Sequence, residues 1–459
     1  MLSVREKVAY GLGDTASNIV FQTVITFLAF FYTDIYGISP AVVGVLFISV
    51  RIFDAVTDPL MGALTDRTQT KHGKFRPYIL WLAVPFGVIS VAAFTTPDVS
   101  QNGKIIYAFV TYALLMAAYT AINIPYSALG GVLTDRPEER VSVQSYRFVF
   151  GMLGGLIVAS LTLPLVEYFG NGDNAKGYQL TITAMSVFGV ILFLLCFAGT
   201  KERVTPPPVN GRKLRDDFKS LWDNDQWRIL SLAVFFLLTG MVVRSTLATY
   251  YVKYYMGLPN YITTFVTIGL IGNIIGTALS APLAKRVCKV KAYKWLQVIS
   301  AALCGISFFI PGDMVFLTTA IFFIWSLLLQ MATPLLWAKM ADVVDYGHWK
   351  TGIRVTGSVY STIVFFLKLG IALGGGLAVW LLAFYGFEAD TDLSTTTREG
   401  IKISFTLFPI AFFLVVAAIM QKYRLTDSLV KSIHDELKEK DQDLDSDTKA
   451  VPGSQPETA

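Results

Sequence analysis

Twelve long apolar segments follow one another along this chain, and they constrain its fold more than any other feature. Each is close to or above the ~20 residues that a helix needs to cross the hydrocarbon core of a bilayer. A soluble domain usually has about 25% charged residues. The 15% found in these 459 residues therefore excludes an ordinary soluble enzyme. The predicted spans are residues 9–36, 41–65, 78–96, 104–133, 142–169, 178–199, 229–256, 262–285, 293–311, 315–342, 356–386 and 400–421.

The Lys and Arg residues between the spans predict the orientation. Connections on the side of the N-terminus carry 22 of these residues, whereas connections on the other side carry four. Cytoplasmic connections of membrane proteins are enriched in Lys and Arg. Since twelve is an even number, we expect a multi-pass protein of the plasma (inner) membrane with both termini in the cytoplasm.

A polar, basic and proline-containing segment divides the spans into six plus six. The predicted organisation is an N-terminal six-helix bundle (1–199), a cytoplasmic middle loop (200–228) and a C-terminal six-helix bundle (229–425). Residues 426–459 form a charged cytoplasmic tail, for which we expect a surface helix over 427–440 and disorder beyond it.

Several functional classes lack their characteristic motifs in this sequence. There is no phosphate-binding glycine loop, the three histidines fall in predicted cytoplasmic segments, and the three cysteines lie far apart. The net charge of +5 requires no nucleic-acid partner. We therefore expect neither an enzyme nor a cofactor, and no metal beyond a coupling ion; we expect a monomer in the lipid bilayer.

The second span carries a charged cluster in the sequence "RIFDAVTDP". A charge at mid-membrane costs at least ~2.5–3.5 kcal/mol, and Arg51, Asp54 and Asp58 share one helix face. Two carboxylates in a low dielectric do not both stay ionised without a proton or another cation between them. The cluster, with Thr57 beside it, predicts a cation site, and Lys368 in the eleventh span is the natural charge partner. The alternative is a structural Arg–Asp network.

Polar side chains in the fourth span suggest a binding site for a sugar. Tyr119, Asn123 and Tyr126 share one helix face, and Asn18 in the first span has similar chemistry. Aromatic rings stack on the CH faces of sugars, and amides bond to sugar hydroxyls. The alternatives are hydrogen bonds between helices for Asn18 and ordinary packing for the aromatic side chains.

Further candidates lie in other spans. Arg147 is a buried cation in the fifth span, where the alternative is a side chain that reaches the membrane interface. Trp337 in the tenth span is a candidate stacking platform for the substrate. Asp14 is another buried charge. Asp66 follows the second span, and we expect it to pair with basic groups in a gate at the cytoplasmic mouth.

Several motifs together resemble one transporter family. They are "EKVAYGLGD", "FFYTDIYGIS", "RIFDAVTDPLMG", "HGKFRPYIL", "YTAINIPYSALGG", "NDQWR" and "ADVVDYGHWKTGIR". In this order they resemble the glycoside–pentoside–hexuronide:cation symporters, a branch of the major facilitator superfamily typified by melibiose permease. The resemblance implies an all-α membrane protein of twelve helices in two six-helix bundles around a central cavity.

The resemblance also assigns roles to single residues. It implies that Asp54 and Asp58 bind the coupling cation, that Thr120 assists them, and that Lys368 lies beside the site. The residues that it places at the sugar are Tyr119 and Arg147.

The chain departs from melibiose permease at four of these positions. That protein has acids at the positions of Asn18 and Asn123, a tryptophan at Ser127 and an asparagine at Thr57. These departures argue against melibiose as the substrate and against sodium as the coupling ion, and we favour H⁺ over the alternative, Na⁺. The chain resembles the xyloside, glucuronide or sulfosugar branches more closely.

The leading hypothesis is therefore cation-coupled symport of a glycoside, pentoside, uronide or related small sugar by alternating access. Two alternatives remain open. The first is a symporter for a non-sugar solute such as a lysolipid. The second is a membrane sensor that transports nothing, although the chain offers no sizeable soluble output domain.

Overall fold

The computed structural model describes residues 2–204, 214–387 and 394–450. Across these ranges the chain is helical, and an isolated bridge between Thr70 and Gly73 is the sole β-type pairing. The helices are α1 (Val4–Thr23), α2 (Pro40–Arg67), α3 (Arg76–Ala93), α4 (Gln101–Leu129), α5 (Pro137–Gly170), α6 (Asn174–Gly199), α7 (Leu214–Asp223), α8 (Asp225–Tyr250), α9 (Ile262–Arg286), α10 (Lys289–Phe308), α11 (Val315–Thr351), α12 (Thr356–Phe384), α13 (Thr395–Thr406), α14 (Phe408–Ile419) and α15 (Asp427–Ala450).

All twelve predicted spans correspond to helices. Within the described ranges, nine helical segments are long and apolar enough to cross a membrane. The other three spans are α1, α2 and α10, each of which carries charged residues. The first and seventh spans are lengthened by π-helical turns at Val24–Leu28, Phe31–Ile35 and Tyr251–Tyr255.

The twelfth span is broken into α13 and α14, and the break has a local cause. Pro409 has no backbone N–H and cannot bond to the carbonyl of Phe405 four residues earlier. That carbonyl instead accepts a hydrogen bond of 3.2 Å from Arg244 Nη1 in α8. The Arg244 guanidinium lies between the rings of Trp325 and Phe405, at 4.6 and 4.3 Å from their centres.

The two halves of the chain repeat the same packing. In the first half, α5 packs against α1, because Gly154 brings α5 within contact of the Thr15 backbone. In the second half, α12 packs against α8 in the same way, with Gly374 against the Thr239 backbone. Such glycines allow helix backbones to approach closely in membranes. The repeated pairing of the first with the fifth span supports a duplicated bundle.

The halves meet along three helices of the first bundle. α2 and α4 pack against α12, and α5 packs against α9 and α11. Gly62 of α2 and Gly357 of α12 allow a close approach, since a Cβ on Gly62 would lie 2.5 Å from the Gly357 carbonyl oxygen. Charged side chains on these helices therefore face one another across the interface between the bundles.

Two helices lie outside the spans. α7 is a short amphipathic helix within the segment predicted as the middle loop. α15 includes the surface helix predicted for 427–440 and continues to Ala450. Trp349 Nε1 at the end of α11 donates to Glu436 Oε2 of α15 at 2.8 Å. Residues 205–213 of the loop and 451–459 of the tail lie outside the described ranges.

Candidate functional site

The predicted cation residues converge from three helices. Lys368 Nζ of α12 lies 2.7 Å from Asp54 Oδ2 and 2.7 Å from Asp58 Oδ2 of α2. Thr120 Oγ1 of α4 lies 2.8 Å from Asp54 Oδ1 and 3.0 Å from Asp58 Oδ1. The two carboxylates are 1% and 0% exposed. Among the described side chains, two acids and one ammonium leave this cluster one positive charge short of neutrality, which suits a single added cation.

Thr120 imposes a further constraint, because a hydroxyl has one hydrogen to donate and two lone pairs that accept. Its oxygen lies between two Oδ1 atoms, and it donates fully to one of them only. If one carboxyl carried a proton, that carboxyl would donate to Thr120 and Thr120 would donate to the other. Every polar atom in the row would then be satisfied. The arrangement suits one shared proton.

Two other residues of α2 were predicted at this cluster. The Thr57 hydroxyl donates to the Asp54 backbone carbonyl at 3.2 Å, so its hydrogen is used within its own helix. The side chain of Arg51 lies outside the part of the chain that the structure describes. The geometry therefore gives Thr57 no direct contact with either carboxylate group.

Arg147 forms the centre of a second buried cluster between the two halves. Its Nε donates to Asp14 Oδ1 of α1 at 3.0 Å, and its Nη2 donates to Ser127 Oγ of α4 at 3.0 Å. The guanidinium lies over the Trp337 ring of α11, 4.2 Å from the ring centre. Arg147 is therefore buried against three other helices and does not reach towards the membrane interface.

Three further sugar candidates lie on α1 and α4, the helices that carry Asp14 and Ser127. Asn18 Nδ2 donates to the Asp14 backbone carbonyl at 3.0 Å and approaches Asp14 Oδ2 at 3.4 Å. Tyr119 stacks on Phe21 with ring centres 5.1 Å apart and is half-buried. Asn123 is also half-buried, and its side chain bonds to no other described residue. Asn18, Tyr119 and Asn123 thus retain exposed polar groups.

Tyr126 has a different environment. Its hydroxyl donates to the Tyr10 backbone carbonyl at 2.6 Å, and the two rings stack 4.8 Å apart. The side chain is fully buried. Its hydroxyl thus joins α4 to α1, and its ring lies 5.0 Å from the Arg147 guanidinium. Tyr126 therefore supports the arginine and offers no free hydroxyl.

Sequence reasoning gave no role to two buried ion pairs. It recognised Asp14 as a buried charge and did not pair it with Arg147. It also missed Arg140, whose Nη1 lies 2.6 Å from Asp342 Oδ1 and whose Nη2 pairs with Asp345. A carboxylate in an apolar span was the available signal for Asp14.

The second of these networks closes one end of the interface. Arg140 of α5 and the two acids of α11 belong to different halves. At the same end, Asp66 of α2 accepts the backbone N–H groups of Gly357 and Ser358 at 2.7 and 2.8 Å. We expected Asp66 to pair with basic groups. In the structure, its carboxylate caps the N-terminus of α12. The halves are thus joined at the end that carries the N-terminus.

The sequence of this chain is similar to those of known transporters. A family model described as MFS/sugar transport protein matches residues 9–427. The inner membrane symporter YicJ of Escherichia coli (strain K12) is 42% identical over 95% of this chain and 95% of its own length. The putative glycoside/cation symporter YagG of the same organism is 40% identical over 95% of each chain. A glucuronide carrier protein homolog, also from this organism, is 31% identical over 94% of this chain and 95% of its own.

Solved structures resemble the chain in fold. A bacterial homologue of the iron transporter ferroportin in an outward-facing state has a TM-score of 0.69 at 14% identity, covering 92% of this chain and 99% of its own. The major facilitator superfamily transporter FucP in the outward conformation has a TM-score of 0.66 at 15% identity with the same coverage. These likenesses confirm the predicted twelve-helix major facilitator fold.

The chain belongs to the MFS/sugar transport family. The resemblance to glycoside–pentoside–hexuronide:cation symporters is confirmed by the same comparisons. The family consists of transporters, and the chain is a multi-pass integral membrane protein. The two charged clusters are the candidate sites for a cation and for a small polar solute.

Proposed function

We propose that the chain is a proton-coupled symporter of a glycoside or related small sugar. The Thr120 hydroxyl between the carboxylates of Asp54 and Asp58 is the observation that carries the choice of ion. A shared proton would complete this row of hydrogen bonds with no other ligand. The names of the relatives as symporters, one of them a glycoside/cation symporter, support the coupling to a cation.

The same geometry argues against sodium. A hard cation of this kind requires several oxygen ligands. The described oxygens at the cluster come from two carboxylates and Thr120, while the Thr57 hydroxyl is bonded to its own helix. Lys368 already pairs with both Oδ2 atoms, so a sodium ion would have to displace the ammonium from them.

The surroundings of Arg147 support a sugar as the solute. The Arg147 guanidinium lies over the buried Trp337 ring. The amides of Asn18 and Asn123 and the phenol of Tyr119 lie on α1 and α4, and such groups bond to hydroxyls. The sugar site of the proposal comprises Asn18, Tyr119, Asn123, Arg147 and Trp337, with Tyr126 behind it.

The cellular setting of the proposal rests on charge. The 22 to four asymmetry of Lys and Arg supports cytoplasmic termini, and the relative named as an inner membrane symporter supports that membrane. The working unit of the proposal is a monomer with bundles at 1–199 and 229–425. On this orientation, the end joined by Arg140 is the cytoplasmic one.

The test separates energised uptake from passive exchange. Asp58→Asn removes a group that gains and loses a proton, so concentrative sugar uptake should fall to background. Exchange of sugar across proteoliposomes without a gradient should survive. Asp98→Asn changes an exposed acid in a connection and should leave both activities unchanged.

The coupling ion is measured directly in de-energised cells. Addition of sugar should make the medium more alkaline, because protons enter with it. Strong stimulation of uptake by sodium at fixed pH, without alkalinisation, would refute the proton. Absence of uptake and exchange for every sugar offered would refute the symporter.

A further inference from the structure

The sugar site has an unusual charge balance. Arg147 is the described cation at the site, and its Nε is paired with the buried Asp14 carboxylate at 3.0 Å. Lys368, the cation of the neighbouring cluster, is held by Asp54 and Asp58. Neither positive charge is therefore free to neutralise an acidic substrate. The names of the relatives cover both substrate charges, since one is a putative glycoside/cation symporter and another a glucuronide carrier protein homolog.

We propose that the site takes a neutral glycoside and rejects uronides and sulfonated sugars, and that Asp14 determines this specificity. The inference rests on the proposed sugar symport and names the substrate class for it. Asp14 acts in two ways: it neutralises Arg147, and it places a second acceptor at the site.

The hydrogen-bonding capacity of the pair matches a hydroxyl group. Arg147 Nη1 is buried and has no hydrogen-bond partner among the described residues, so it can donate to a ligand. Asp14 Oδ2 has one long contact of 3.4 Å with Asn18 and can accept from a ligand. A sugar hydroxyl both accepts and donates, and it can satisfy the two groups together.

A carboxylate or sulfonate fits the same place poorly. It offers acceptors only, so it could use Arg147 Nη1 and would leave Asp14 Oδ2 without a donor. It would also bring a second negative charge close to Asp14 in a site of low dielectric. Like charges in such contact cost several kcal/mol, which corresponds to at least roughly tenfold in affinity.

The position of Asp14 depends on the close packing of α1 and α5. A Cβ on Gly151 would lie 2.2 Å from Asp14 Oδ2 and 3.0 Å from Asn18 Nδ2. Glycine at this position therefore leaves room for the carboxylate and the amide beside α5. The backbone thus holds Asp14 against Arg147.

The experiment compares pairs of sugars that differ only at C6, where a carboxylate replaces the neutral hydroxymethyl group. Methyl β-glucoside and methyl β-glucuronide form one pair, and methyl β-galactoside and methyl β-galacturonide form a second. Methyl β-xyloside is added as a neutral pentoside. Counterflow in proteoliposomes is measured for the wild type, Asp14→Asn and Asp14→Glu. Asp313→Asn, an exposed acid in a connection, is the matched control.

The wild type and the control should prefer the neutral member of each transported pair by roughly tenfold or more. Asp14→Asn leaves the Arg147 guanidinium without its carboxylate partner. The preference of this variant should therefore move towards the uronide by a similar factor. Asp14→Glu keeps the charge and should keep the neutral preference.

Each of three results would contradict a different part of the proposal. A preference of the wild type for either uronide would overturn the neutral substrate while leaving sugar symport intact. An unchanged preference in Asp14→Asn would remove Asp14 as its determinant; if that variant does not reach the membrane, the preferences of the wild type and of Asp14→Glu decide. Absence of exchange for all five sugars would refute the symport itself, and the inference with it.

Discussion

Replacing Thr120 by valine removes one hydroxyl and keeps the shape of the side chain. In the protonated cluster this hydroxyl takes part in two hydrogen bonds, one accepted from a carboxyl and one donated to a carboxylate. In the unprotonated cluster it has one hydrogen for two acceptors at 2.8 and 3.0 Å. The substitution therefore destabilises the protonated form more than the unprotonated one.

The size of the effect follows from the bond that is lost. A hydrogen bond to a charged group contributes about 1.5–3 kcal/mol. At 1.36 kcal/mol per pH unit, the pH of half-maximal sugar uptake should move downward by about one to two units. The sign follows because a cluster with lower proton affinity requires a higher proton concentration to load.

The assay is initial uptake by proteoliposomes over a range of external pH, with the internal pH fixed. Thr120→Ser keeps the hydroxyl and loses a methyl group, so its profile should stay close to that of the wild type. Identical profiles for the valine and serine variants would refute the role of the hydroxyl in proton loading. A valine profile that responds to sodium instead would reassign the site to that ion.

Two further predictions concern the packing around the clusters. Gly151→Ala should weaken sugar binding by roughly fivefold or more, since overpacking costs about 1–3 kcal/mol and the new Cβ would meet Asp14 Oδ2 at 2.2 Å. Gly155→Ala, whose Cβ would have its nearest neighbour at 3.5 Å, is the control in equilibrium binding, and equal losses would contradict the argument. Arg140→Gln removes the guanidinium that ties Asp342 and Asp345 to the first half, although Lys289 and Arg354 of the second half still pair with these acids. The closed end should therefore lose about 1.5–3 kcal/mol, the contribution of a hydrogen bond to a charged group. Thermal unfolding in detergent should show this loss in comparison with the exposed Arg136→Gln, and equal midpoints would exclude Arg140 as a tie between the halves.

Much of the fold was predictable because a bilayer permits few solutions. Backbone polar groups must be satisfied within each span, so long apolar segments become helices. The cation cluster was predictable for a related reason. Asp54, Asp58 and Lys368 each carry a high cost when buried alone, and that cost requires them to meet. The short helix α7 carried no such signal, since it is polar and lies in a loop.

The second cluster was harder to predict from sequence. Asp14 and Arg147 are separated by 133 positions, and their contact depends on how α1 and α5 are set against one another. Gly154 and Gly151 determine that setting, and a single sequence does not show which neighbour a glycine approaches. Tyr126 shares a helix face with Tyr119 and Asn123, yet its hydroxyl bonds back to α1. Helical spacing places a residue on a face and does not give the direction of its polar atom.

Helix α4 connects the two clusters, and their charges explain how coupling would work in the proposed function. Thr120 contacts the acids of α2, and Ser127, about two turns later, contacts Arg147. Among the described side chains, the sugar cluster has no net charge and the cation cluster has a charge of minus one. Closing both ends around a net charge in the membrane is costly. One proton and a neutral sugar bring the whole site to neutrality, whereas an anionic sugar would restore the charge that the proton removes. The charge of the substrate and the number of coupled protons are therefore linked, and a neutral sugar is the solute for which a single proton suffices.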